Sequence, residues 1–122
     1  MRLYTQYGPD DCYSACIASI IHVPAELVPD FVEEYGYRWF EFAQDWLGKQ
    51  GWFVFPLVAE SIEVIIPHVP LIRMIETDLG LHAQIWRNGR MLWDPKRDQT
   101  VHEYQRPTDD YHLIFRRESS WA

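Results

Sequence analysis

Gln6, Cys12, His82 and Asp94 are four side chains that, brought together, have the chemistry to cut an amide bond. Such a reaction needs a sulfur nucleophile, a base for its proton, a group that orients the base, and donors for the charge that develops on the carbonyl oxygen. Cys12 follows the turn residues Gly8-Pro9-Asp10-Asp11 and opens an apolar run that continues to Ile21. This pattern predicts a helix starting at Cys12, with Asp10 or Asp11 as its N-cap. On the first turn of a helix, unpaired backbone N–H groups and the helix dipole favour a thiolate. Gln6 lies upstream, where its amide and the Cys12 N–H can both serve an oxyanion. Taken singly, each residue has a plainer role: Cys12 as a small buried hydrophobe, Gln6 as a loop residue, Asp94 as a turn former before Pro95. Their joint occurrence, in the order Gln, Cys, His, Asp, is what points to chemistry.

The chain has five histidines. His22 and His68 lie beside prolines in expected loops, and His102 sits in a polar connection. His82 opens a strand after the loop Thr77-Asp78-Leu79-Gly80, and His112 opens another. A base at the start of a strand faces a cleft, so His82 is the expected base and His112 the reserve. The hairpin at Asn88-Gly89 then decides where Asp94 points. A two-residue turn pairs Arg87 with Arg90 and sets His82 and Asp94 on opposite faces. A three-residue loop pairs Trp86 with Arg90 and sets His82 across from Asp94. A His82–Asp94 pair therefore predicts the three-residue loop or an equivalent bulge.

The elements that must hold these residues are legible as a helical first half and a sheet-forming second half. Helices are expected over Cys12–Ile21, Glu26–Tyr35 (Pro29 in its first turn) and Trp39–Lys49. Strands are expected over Trp52–Leu57, Val69–Ile75, Leu81–Arg87, Arg90–Trp93 and Tyr111–Arg116, with the segment Ala59 to Pro67 ambiguous. Helices first and an antiparallel sheet second make an α+β domain. At 122 residues the chain is expected to be one domain, residues 1–122, burying about two thirds of its unfolded surface without a disulfide or metal staple.

Composition narrows the partners. A formal net charge of −7, with only small basic groups such as Lys96-Arg97 and Arg116-Arg117, argues against nucleic acid. No run approaches 18 apolar residues and no apolar stretch follows Arg2, so neither a membrane span nor a signal peptide is expected. Cys12 and Cys16, one helical turn apart, are poorly placed to bridge and read as thiols in a reducing, cytoplasmic setting. Cys16 reads as core. A metal site on the two thiols lacks a second ligand pair at zinc spacing, so no metal or other cofactor is expected.

The run Gln6, five residues, Cys12, then Ala15-Cys16, resembles the opening of the bacteriocin-processing, double-glycine leader peptidases of the papain-like superfamily. His82 before an apolar strand, followed by Asp94-Pro95, resembles the His and Asp-Pro motifs of that family. The stretch from Cys12 to Ile21, with Val23-Pro24, Glu26 and Val28-Pro29-Asp30-Phe31, is similar to small stand-alone bacterial and phage proteins with that look. The resemblance implies a papain-like fold, N-terminal helices on a C-terminal antiparallel sheet. It also implies Cys12 as nucleophile, His82 as base, Asp94 as orienter and Gln6 in the oxyanion hole. This chain departs from the family in carrying bulky Tyr13 where Gly commonly follows the nucleophile, and in a short interval from His82 to Asp94. No fused transporter or ATP-binding domain is expected from these 122 residues, so the resemblance does not extend to leader processing during export. The expected activity is a thiol hydrolase acting on an amide, peptide or isopeptide bond of a peptide or protein substrate. The alternative is the same scaffold used as a protein-binding or inhibitor module.

Overall fold

The computed structural model describes residues 1–58, 66–96 and 104–116. Helix α1 spans Cys12–Ile21, as its turn signal and apolar run predict, and all ten of its residues are buried. A helix apolar on every side must sit in a core, and Ile17, Cys16 and Ala18 are fully excluded from solvent. The helix ends where His22 turns into the left-handed region (φ 62°), just before Val23-Pro24. Asp11 occupies the N-cap position but does not cap with its side chain. Its carboxylate instead accepts from the N–H groups of Tyr7 and Gly8, both at 2.8 Å, cinching the loop that leads into Cys12.

The second helix differs from expectation. Ala25–Leu27 form one 3₁₀ turn, Val28 is extended, and α2 covers only Phe31–Tyr35. Pro29 is the reason: the residue before a proline is pushed out of the helical region. The helix restarts only after Asp30, whose side chain caps it by accepting from the Glu33 N–H at 3.1 Å. Helix α3 spans Trp39–Lys49 and buries Ala43 and Leu47.

The strands are β1 (Trp52–Val58), β2 (Leu71–Thr77), β3 (Gly80–Arg87), β4 (Arg90–Trp93) and β5 (Gln105–Arg116). They form one antiparallel sheet in the order β1-β5-β2-β3-β4. Pro56 is tolerated because β1 is an edge strand. Strand β5 is twice its expected length, because its first half absorbs Thr108-Asp109-Asp110 as a bulge opposite Met74 rather than as a loop. Thr108 pins that bulge, donating its hydroxyl to the Met74 carbonyl at 2.7 Å. The α+β class is thus observed, with α1 packed on β3, α3 on β1 and α2 on α3. Their shared core joins Ile17, Phe31, Leu47, Ile72, Ile85 and Ile114. The ambiguous segment Ala59 to Pro67 lies outside the described residues up to 65. Among those described, no single helix is long and apolar enough to cross a membrane.

Candidate active site

The hairpin supplies the first part of the site. Asn88 (φ 53°) and Gly89 (φ 74°) both adopt the left-handed region, the signature of a two-residue turn whose twist matches its strands. Arg87 accordingly pairs with Arg90 and Trp86 with Met91. The register then slips, so that Ile85 faces Trp93 and Leu92 is the extra residue of a bulge. That single residue reverses the alternation of β4 and brings Asp94 to the side of His82 and Gln84. The expected equivalent bulge is therefore present, although Asp94 comes level with Gln84 and meets His82 on the diagonal.

Asp94 is densely held. His82 Nε2 donates to Asp94 Oδ1 at 2.6 Å, Gln84 Nε2 donates to Oδ2 at 2.7 Å, and the Lys96 N–H donates to Oδ1 at 2.9 Å. Gln84 is 1% exposed and is itself held by Trp86, whose Nε1 donates to Gln84 Oε1 at 2.9 Å. Burial raises the Asp94 carboxyl, but these three donors overcome it and bring its pKa down to about 2. Burial likewise opposes charge on His82, yet its hydrogen bonds to Asp94 and Cys12, with the charges they carry, bring its pKa up to about 9. With Nε2 facing Asp94, Nδ1 is the ring nitrogen left for the Cys12 thiol. Cys12, His82 and Asp94 thus form one continuous chain.

Gln6 enters from the opposite wall. Its backbone N–H donates to the Pro95 carbonyl at 2.7 Å, and its amide nitrogen donates to the Gly8 carbonyl at 2.7 Å. The Gln6 loop is thereby fastened to the Asp94-Pro95 turn, with Gln6 itself buried. A cleft of about 440 Å³ runs between these walls, touching Gln6, Gly8, Thr77, His82 and Lys96. A second hollow of about 270 Å³ lies against Cys12, Tyr13, Val32, Trp39 and Met74. Pro9, Asp10, Leu79 and Leu81 line both, so the two hollows are neighbours, one beside His82 and the other beside Cys12. A further hollow of about 370 Å³ carries Asp11, Glu26, Asp30 and Glu33 but neither a cysteine nor a histidine.

The other candidates separate cleanly. His112 is buried, but its Nδ1 is engaged by the Tyr13 hydroxyl at 2.6 Å, so the reserve base does not serve Cys12. His22 and His68 are exposed, both with positive φ, and His102 lies outside the described residues. Cys16 is completely buried, and burial followed by the negative charges around Cys12 and Asp94 raises its pKa well above that of an ordinary thiol. Neither cysteine is in a disulfide, and among the described residues no group of three His, Cys, Asp or Glu is placed to hold a metal. Gln84 is the residue that sequence reading passed over. Its signal was its position two residues after His82 on the same strand, hence on the same face.

No family model, curated protein or solved structure matches this chain. The functional reading accordingly rests on the geometry of the site.

Proposed function

We propose that this chain is a small cytoplasmic thiol hydrolase of papain-like fold, cleaving an amide, peptide or isopeptide bond of a peptide or protein. The observation that carries the reading is that one buried imidazole holds an ionised carboxylate on one nitrogen and the Cys12 thiol within hydrogen-bonding reach. Asp94 fixes the ring and favours its charged form, so His82 holds the proton and Cys12 reacts as a thiolate beside it. The sulfur attacks the substrate carbonyl carbon, and the π pair moves onto oxygen, where the Cys12 N–H and Gln6 stabilise it. As the carbonyl re-forms, the C–N bond breaks and His82 gives its proton to the departing amine. Water then attacks the thioester, His82 takes its proton, and the C–S bond breaks to release the carboxylic acid.

The direct test measures alkylation of Cys12 by iodoacetamide at pH 7, with release of p-nitrophenol from p-nitrophenyl acetate as the acylation readout. An ordinary thiol is only a few per cent ionised at that pH, so Cys12 should label about tenfold faster than a free model thiol. His82→Ala should abolish the advantage, and Cys12→Ala should abolish the p-nitrophenol burst. Labelling no faster than the model thiol would overturn the reading. The exposed face of the sheet, where Phe53 and Phe115 stack at 5.4 Å between centroids, favours a second reading as a protein-binding module. That reading requires Cys12→Ala to keep the full biological effect.

A further inference from the structure

The residue after the nucleophile is built into the core in a way that a smaller residue could not reproduce. Tyr13 is 2% exposed and its hydroxyl meets His112 Nδ1 at 2.6 Å. The bond joins residues 99 positions apart, the first turn of α1 to strand β5. Both rings are fixed by aromatic neighbours: Tyr13 meets the Trp39 ring at 4.8 Å, and His112 meets Phe40 at 4.8 Å. Asp110, two residues earlier on β5, places its carboxylate 3.7 Å from His112 Nε2.

Chemistry sets the direction of this bond. Burial above all, with the Asp110 carboxylate nearby, raises the Tyr13 phenol well above its ordinary value, so it stays protonated. Burial lowers His112 despite Asp110, so the ring stays neutral and accepts at Nδ1. Tyr13 therefore donates to His112, and the Nε2 hydrogen faces Asp110. No other side chain ties the first turn of α1 to β5 in this way among the described residues, since Asp11 spends its carboxylate on the preceding loop. Cys12 is held between that cinched loop and the Tyr13 anchor.

Resting on the thiol–imidazole reading above, we infer that Tyr13 and His112 are positioning residues that hold Cys12 at its working distance from His82. The bond fixes the rotation and height of the α1 first turn over the sheet. The sulfur is one residue from that anchor. Loosening it lets the thiol drift from an imidazole that is itself fixed by Asp94. Neither residue touches substrate through this bond.

The test measures the rate of Cys12 alkylation by iodoacetamide from pH 5 to 9, read by peptide mass, alongside thermal unfolding. Tyr13→Phe removes only the hydroxyl. It should slow labelling at pH 7 about tenfold, a fraction of the hundredfold that a misplacement of about 1 Å can cost. His112→Phe should do the same on an intact Tyr13, whereas His112→Gln, whose amide oxygen can accept from the phenol, should recover most of the rate. A role in stability alone would lower the unfolding temperature of these variants and leave the folded-state rate and its pH profile unchanged. Wild-type labelling by Tyr13→Phe overturns the inference. So do equal rates for His112→Phe and His112→Gln, which keeps the test decisive if the Tyr13 variant does not fold. His82→Ala separates the two levels: if it slows labelling and Tyr13→Phe does not, positioning alone fails. If His82→Ala labels at the wild-type rate, the thiol–imidazole reading fails and takes this inference with it.

Discussion

His82 and His112 are both buried on one sheet, and each is tied to one of the two consecutive residues that open α1, yet their surroundings drive them to opposite charge. Burial disfavours the cation in both. His82 overcomes it because Asp94 is in contact at 2.6 Å and cannot easily protonate, being held by Gln84 and the Lys96 N–H. His112 does not overcome it, because its carboxylate, Asp110, stands 3.7 Å away and is 46% exposed. Water screens a charge so placed. A carboxylate near a histidine is therefore insufficient. It must touch the ring and be locked in its ionised form by other donors.

The comparison can be broken most severely at the bulge. Inserting one residue between Trp93 and Asp94, just past the bulge, moves the carboxylate on by one strand position, turns it to the far face and leaves His82 without it. His82 should then titrate well below 9, moving toward the behaviour of His112, and Cys12 labelling should fall toward the His82→Ala level. Imidazole NMR and alkylation read the two effects; a His82 pKa still near 9 would detach it from Asp94. Asp94→Asn is next. It keeps the shape but removes the charge, and should bring His82 well below 9 while the fold persists by circular dichroism.

The two rings should also oppose each other in stability against pH. His82 is raised in the folded state from 6.5 to about 9, so its stabilisation is complete below 6.5 and is lost as pH rises through about 9. Asp94 is depressed from 3.8 to about 2, so the same pair is also lost as pH falls through about 2. His112 is depressed from 6.5, so its contribution is present above 6.5 and is lost in acid, as pH falls through its folded value. Thermal unfolding should show the wild type losing several degrees between pH 6.5 and 9, and Asp94→Asn losing less. An alkaline slope identical in both proteins would remove the pair from the stability of the fold. The smallest effect belongs to Asp110→Asn, which should leave the His112 titration nearly where burial puts it. A large change there would mean that Asp110 governs its histidine as Asp94 governs His82.

Much of this was legible in the chain because it is local. Gly8-Pro9-Asp10-Asp11 marked the start of α1 at Cys12, and Asn88-Gly89 marked the hairpin. The bulge was foreseen only as a requirement of the His82–Asp94 pair, since nothing in Arg90-Met91-Leu92-Trp93 announces an extra residue. Pro29 was read as a helix starter when its effect on Val28 made it a breaker. The first half of β5 was missed because Pro107 and Asp109-Asp110 have the composition of a loop. The Tyr13–His112 bond was out of reach altogether, since no local pattern joins a helix start to a strand 99 residues away.

That separation also sets an order of events in synthesis. Helix α1 has its local contacts as soon as residues up to Ile21 have left the ribosome, so the thiol exists early. Its companions arrive late. The Trp93 indole reaches back to the Tyr4 carbonyl across 89 residues, and His112 reaches Tyr13 across 99. A nascent chain thus carries Cys12 through most of its production without the residues that face it in the fold, and gains them only when the sheet closes. The long-range wiring of the site acts as a delay: Cys12 meets its partners only in the last stage of assembly, when both ends of the chain have come together.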